Sequence, residues 1–240
     1  IKIRKFDQSY IYSDSIRLYL ISKLSGIKQN FHYKFFSKKG KNFFKAAKIF
    51  TEQILNIEMN PQSKIYWDDN EVNLAKKKFN ITEKTTNIVF APSASGPTKR
   101  WDINNYISLF EKIIKEKKCK LFIAGGINDQ FLIDRVMNSS IGKECVSFSN
   151  MTIEETLPII AGCQYYIGND TGWGHICAGL NLKSLLLFMD SPPIAYGIYS
   201  KNITVIIPEG ETIESCGHNT KGKDKISFDN VLNTALSVLH

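Results

Sequence analysis

Three short segments of the sequence combine residue types suited to gripping a charged ligand. Ser93-Ala94-Ser95-Gly96-Pro97-Thr98-Lys99-Arg100-Trp101 leaves an apolar run and enters a helical pattern. Small and hydroxyl residues let the backbone approach a ligand, Lys99 supplies a mobile positive charge, and a helix start offers free N–H groups. A diphosphate needs those three things. Gly168-Asn169-Asp170-Thr171-Gly172-Trp173-Gly174-His175 has the same setting. There Thr171 and Gly172 would aim a hydroxyl and a backbone N–H at phosphate oxygens, and Asp170 would accept hydrogen bonds from sugar hydroxyls. Ala124-Gly125-Gly126-Ile127-Asn128-Asp129 sets a carboxylate after two glycines, where Asp129 can hold both hydroxyls of a ribose. Each segment also admits a plainer role: a polar loop for the first, an N-cap at Asp170 or Thr171 with a backbone-satisfied His175 for the second, and a turn with an N-cap aspartate for the third.

The elements that must position these segments follow from apolar periodicity. Residues 87–92 read as a buried strand, and Ile103, Tyr106, Ile107, Phe110, Ile113 and Ile114 recur at helical spacing. Residues 121–124 form the next strand, closed by Gly125 and Gly126, and are followed by a helix over 130–137 and a short strand near 146–148. Thr152 and Glu155 make a capping box for a helix reaching Gly162, which Pro158 should bend or shorten. Residues 165–169 and 184–188 are further strands, with a helix over 175–180 between them. Alternation of this kind predicts an α/β fold, a doubly wound parallel sheet covered on both faces, with ligands at the carboxyl ends of its strands. All three polar segments fall at such ends.

Residues 1–80 differ in kind. A strand over 6–12 and helices over 15–24 and 43–55 are expected, without a glycine-rich strand-to-helix turn. This part reads as the later portion of a domain, truncated at its front. Polar residues 68–83 suit a boundary, giving domains 1–80 and 81–240.

Composition narrows the partners. Of 240 residues 43% are hydrophobic and 22% charged, as in a globular protein. No run is long enough to span a bilayer and no signal peptide is evident, so the cytoplasm is the expected compartment. Five scattered cysteines offer no C-x-x-C pair, and Cys216 with His218 lacks further zinc ligands, so no metal is expected. A net charge of +8 favours an anionic partner, though lysines this dispersed equally suit a solvated surface. The lack of G-x-G-x-x-G argues against a dehydrogenase.

Taken together, K-R-W after one strand, G-G-x-x-D after the next and D-T-G-x-x-H after a later one resemble glycosyltransferase family 9, which includes ADP-heptose:lipopolysaccharide heptosyltransferases. The likeness covers roughly residues 87–240, including Ser191-Pro192-Pro193 and a final helix over 228–239, and more weakly residues 1–60. It implies a GT-B architecture, with a Rossmann-like C-terminal donor domain beside a partial N-terminal Rossmann-like domain. The implied reaction is inverting, metal-independent transfer of a heptose from an ADP-sugar to the anionic lipopolysaccharide inner core, with no cofactor beyond the donor substrate. Lys99 would meet the diphosphate and neutralise departing ADP, Ser95 and Thr171 the phosphate oxygens, Asp129 the ribose and Asp170 the transferred sugar. Ser93, Gly172 and His175 complete the implied donor set, with Lys99 and Asp170 as its catalytic members. Trp173 is bulkier than expected there and should alter the sugar pocket. The family's catalytic aspartate, on a glycine loop at its N-terminus, has no counterpart here. Asp7 and Asp14 do not follow such a loop, so the base is expected in a missing N-terminal segment. Peripheral contact with the inner membrane face is expected and nucleic acid is not. The rival readings are a non-catalytic nucleotide-sugar-binding remnant, an epimerase and a GT-B enzyme using a UDP-sugar.

Overall fold

The computed structural model describes residues 5–33, 43–60 and 62–239. The chain divides into two units, residues 1–61 and 62–240. In the first, strands β1 (Gln8–Ile11) and β2 (Gln29–His32) pair in parallel, with helix α1 (Ile16–Leu24) between them in sequence and α2 (Phe43–Leu55) following. β2, Gln-Asn-Phe-His, has one apolar residue and so gives no periodic signal in the sequence. Its small core centres on Tyr33, Ala46 and Phe50, where the Tyr33 and Phe50 rings meet edge to face at 5.2 Å.

The second unit begins well before the expected residue 81. Asp68 caps helix α3 (Asp69–Lys78), its carboxylate accepting from the N–H groups of Asn70 at 2.9 Å and Glu71 at 3.2 Å. Acidic residues in the first turn and Lys76, Lys77 and Lys78 in the last complement the helix dipole. The polar stretch expected as a boundary is therefore an ordered helix. Only Ala75 of α3 is buried, which is why apolar periodicity does not reveal it. Just upstream, the Ile65 N–H donates to Gly179 O at 2.8 Å, tying this segment to the second unit.

The main sheet comprises β3 (Thr86–Ala91), β4 (Cys119–Ile123), β5 (Cys145–Ser147), β6 (Tyr165–Asn169), β7 (Lys183–Leu187) and β8 (Ile203–Ile206). Helices α4 (Ile103–Glu116), α5 (Gln130–Met137), α6 (Ile153–Ala161), α7 (Gly172–Gly179), α8 (Pro193–Tyr196) and α9 (Phe228–Val238) connect or follow them. Strand order is β5-β4-β3-β6-β7-β8, with every pairing parallel. This is the doubly wound arrangement, and the chain reverses direction across the sheet between β3 and β6.

Side chains alternate across the strands. Ile88 and Phe90 join a core with Tyr106, Phe110, Ile133 and Val231 on one face, whereas Val89 and Ala91 join Phe122, Phe148, Ile160 and Tyr166 on the other. With both faces covered, the strands read as continuous apolar runs. The capping box forms, with Glu155 N–H donating to Thr152 Oγ1 at 3.2 Å and Thr152 N–H to Glu155 Oε2 at 2.7 Å. α6 carries Pro158 internally and closes at Ala161. α7 starts at Gly172, ahead of the expected His175. No helix among the described residues is long and apolar enough to cross a membrane.

Gly168 permits a close approach in the middle of this sheet. A Cβ there would stand 2.5 Å from Tyr166 Oη and 2.9 Å from Ala91 O. The space lets the Tyr166 ring lie back along its own strand and donate to Asn169 O at 3.0 Å. Gly168→Ala should cost about 1–3 kcal/mol, as overpacking a filled core does, read as a lower urea midpoint. An unchanged midpoint would show that Tyr166 has room to move.

Candidate functional site

The loops after β3 and β6 meet at a fully buried amide. Asn169 Nδ2 donates to Pro92 O at 2.8 Å and Ser93 O at 3.3 Å, while its Oδ1 accepts from Trp101 N at 3.2 Å and Tyr106 Oη at 2.9 Å. An amide has two donor and two acceptor positions, and all four are filled. Both ends of the 93–101 loop are thereby pinned to the end of β6. Trp101 is buried, edge-on to Tyr106 at 5.0 Å and stacked on Phe228 at 6.1 Å, so the tryptophan of K-R-W is an anchor. Arg100 folds back over the loop, its Nε and Nη2 donating to Ala94 O at 3.1 and 2.9 Å.

A cleft of about 520 Å³ opens at these strand ends, lined by Ser93, Ala94, Ser95, Arg100, Asn128, Asp129, Ile153, Thr171, Gly172, Trp173 and Ile176. Five of the expected site residues, Ser93, Ser95, Asp129, Thr171 and Gly172, thus share one space. Thr171 N-caps α7 without a side-chain capping bond. Its hydroxyl lies 3.3 Å from Tyr166 Oη instead. A helix start without such a cap keeps its positive end available to an anion. Asp129 Oδ2 accepts from Gly126 N–H at 3.2 Å, so this carboxylate braces its own turn while facing the cleft.

The other three expected residues lie outside that lining. Lys99 stands near Asp190. Partial burial opposes the Asp190 charge, but hydrogen bonds from the Thr98 hydroxyl at 2.6 Å and from the backbone N–H groups of Lys221, at 2.9 Å, and Asn219 outweigh it, with the Lys99 ammonium adding to them. The carboxyl is held below the usual aspartate range. Asp170 and His175 form a separate cluster, with Asp170 Oδ1 3.3 Å from His175 Nε2, Asp170 Oδ2 2.6 Å from Ser191 Oγ and His175 Nδ1 2.8 Å from Tyr199 Oη. Asn169 and Ser191 fall inside segments that the sequence marks, but without an assigned role, and Asp190 and Tyr199 lie outside them. For Asp190 the sequence signal is its placement just after an apolar strand.

The sequence pattern of glycosyltransferase family 9 (heptosyltransferase) matches residues 38–226. The chain belongs to this family. It is similar to lipooligosaccharide heptosyltransferase 2 of Haemophilus ducreyi, 30% identical over 121 residues that cover 48% of this chain and 34% of that protein. It is also similar to lipopolysaccharide heptosyltransferase 1 of Campylobacter coli, 24% identical over 219 residues, or 85% of this chain and 63% of that protein. The chain therefore spans less than two thirds of the length of either relative. Among solved structures it resembles E. coli ADP-heptose LPS heptosyltransferase II, with a TM-score of 0.76, 19% identity and coverage of 99% of this chain and 78% of that one. E. coli heptosyltransferase WaaC with ADP follows at a TM-score of 0.71 and 13% identity, covering 98% and 73%. This likeness establishes the GT-B type α/β fold that the family resemblance implies.

Two measurements check how the family's loops are held here. Asn169→Leu should lower stability by about 3 kcal/mol or more, because each orphaned buried polar group costs about 1–3 kcal/mol. Asn169→Asp should also destabilise, since a carboxylate cannot donate to Pro92 O. Chemical denaturation of both variants reads this directly, and a near-neutral Asn169→Leu would remove the amide from its central role. For Asp190 the folded pKa is depressed, so its stabilisation is present above the unfolded pKa of about 3.9 and lost as pH falls through the folded value. The stability gap between the native protein and Asp190→Asn should accordingly be largest near neutrality and shrink on acidification below about pH 4. A gap that widened instead would contradict the assigned sign.

Proposed function

We propose that the second unit holds a nucleoside-diphosphate sugar and that the protein transfers a heptose, or a related sugar, from an ADP-sugar to the lipopolysaccharide inner core or a similar anionic glycan. The observation that carries this reading is the combination of residues around the 520 Å³ cleft. Its lining includes Arg100, the hydroxyl-bearing Ser93, Ser95 and Thr171, and Gly172 at the start of α7, a set suited to phosphate oxygens. The remaining lining combines the Asp129 carboxylate with the apolar Ile153, Trp173 and Ile176, suited to a ribose and a flat base. Family membership and the heptosyltransferase relatives support the same direction.

In the proposed reaction an acceptor hydroxyl attacks the anomeric carbon and gives up its proton to a base or to water, the bond from that carbon to the β-phosphate oxygen breaks with inversion, and ADP leaves carrying the charge. Arg100, Lys99 and the positive end of α7 would stabilise that developing charge, the electrostatic contribution that is often the largest in such steps. With these positive groups supplying the charge, the proposed transfer is metal-independent. Asp170, beside the cleft residue Thr171, would orient the transferred sugar, with His175 completing the donor site. The chain's charge of +8 suits an anionic acceptor at a membrane face. No general base is assigned.

Calorimetry tests the proposal. ADP should bind more tightly than UDP and equally well with EDTA. Lys99→Ala and Arg100→Ala should each weaken ADP by roughly one to two orders of magnitude, the loss of a charge-assisted contact of about 1.5–3 kcal/mol. A preference for UDP, or binding abolished by the chelator, overturns the ADP-sugar reading.

A further inference from the structure

Asp170 and His175 are two links in a longer hydrogen-bonded chain. Ser191, 2% exposed, donates its hydroxyl to Asp170 Oδ2 at 2.6 Å, and His175 Nε2 faces Oδ1 at 3.3 Å. On the far side of the imidazole, Nδ1 lies 2.8 Å from Tyr199 Oη, and the Tyr199 side chain is hydrogen-bonded in turn to Ser63. Five residues from five different segments thus line up: Ser63 before α3, Asp170 at the end of β6, His175 within α7, Ser191 after β7 and Tyr199 after α8.

The chemistry of the groups gives this line a direction. An ionised carboxylate only accepts hydrogen bonds, so the imidazole nitrogen facing Asp170 carries a proton. A neutral imidazole then has a bare acceptor at Nδ1. Only a donor fits 2.8 Å from it, and that donor is the Tyr199 hydroxyl. Burial, reinforced by the Asp170 charge, pushes the Tyr199 phenol up to about 12, so it keeps the proton it must donate. The Ser63 hydrogen bond acts the other way, as expected of a hydroxyl donating to the phenol oxygen.

We propose that Tyr199 is a positioning residue which, through Nδ1 of His175, fixes the imidazole tautomer that holds Asp170 from one side while Ser191 holds it from the other. With both oxygens tethered and its side chain only 12% exposed, Asp170 has a single orientation. Resting on the reading of Asp170 as a sugar-binding group, Tyr199 then governs recognition of the donor's sugar and leaves its nucleotide alone.

Long-range nitrogen-15 spectra of the imidazoles test the tautomer without any ligand. The chain has four histidines, and the His175 signals are those lost in His175→Gln. At neutral pH the native protein should show the Nε2–H tautomer at His175, and Tyr199→Phe should convert it to a tautomer mixture. In titrations, Tyr199→Phe and Ser191→Ala should each weaken ADP-heptose by roughly 2- to 10-fold, the worth of one hydrogen bond, with ADP affinity unchanged. An Nδ1–H tautomer or an imidazolium in the native protein overturns the proposal, as does a Tyr199→Phe variant with unaltered His175 signals or equal losses for ADP and ADP-heptose. If Tyr199→Phe does not fold, the native spectrum and Ser191→Ala still decide. A native protein that binds neither nucleotide would overturn the donor reading alone, leaving the tautomer to the spectra.

Discussion

Four hydrogen bonds on one buried side-chain amide hold together the two loops from which the site is built. Burying an amide without partners would cost several kcal/mol, but Asn169 is satisfied at every position, so it constrains without a desolvation debt. Its partners come from the end of β3, from the start of α4 and from the Trp101 backbone. Trp101 and Tyr106 are themselves packed against each other, so any displacement of the amide disturbs both polar contacts and the aromatic core beneath. The site inherits the rigidity of the sheet rather than that of a free loop.

The loops that this satisfied interior holds line an open cleft. Among the described residues, the Thr171 side chain makes no capping bond to α7, a Cβ at Gly172 would meet nothing within 4 Å, and the Arg100 guanidinium donates to Ala94 O. On the proposed function, these are the groups that would meet the donor's phosphates. Asp190 joins Thr98 in the first loop to Lys221 in the 208–226 segment. That contact adds a second tether to the segment bearing Lys99.

The Asp170 cluster follows the same economy. Ser191 and His175 restrain the carboxylate, and Tyr199 restrains the histidine. Each member is held by a residue distant in sequence, so the orientation of one carboxylate depends on three separate loops being in place.

Much of this was legible in the sequence because it depends on local physics. The period of apolar residues gave the strands and helices of the main sheet to within a few positions, the Thr152–Glu155 capping box announced a helix start, and small, hydroxyl and charged residues at strand ends marked the loops that carry chemistry. Where local signal was weak the sequence was silent: α3 buries one alanine, and β8 is four residues long. Tertiary structure decided which residues meet. It put Arg100 rather than Lys99 in the cleft, gave Asp190 and Ser191 to the site, and made Asn169 its anchor. Those contacts join residues 21 to 92 positions apart. Periodicity says which face of an element is buried, but a pairing across such distances is set only when the sheet order and both packed faces are in place.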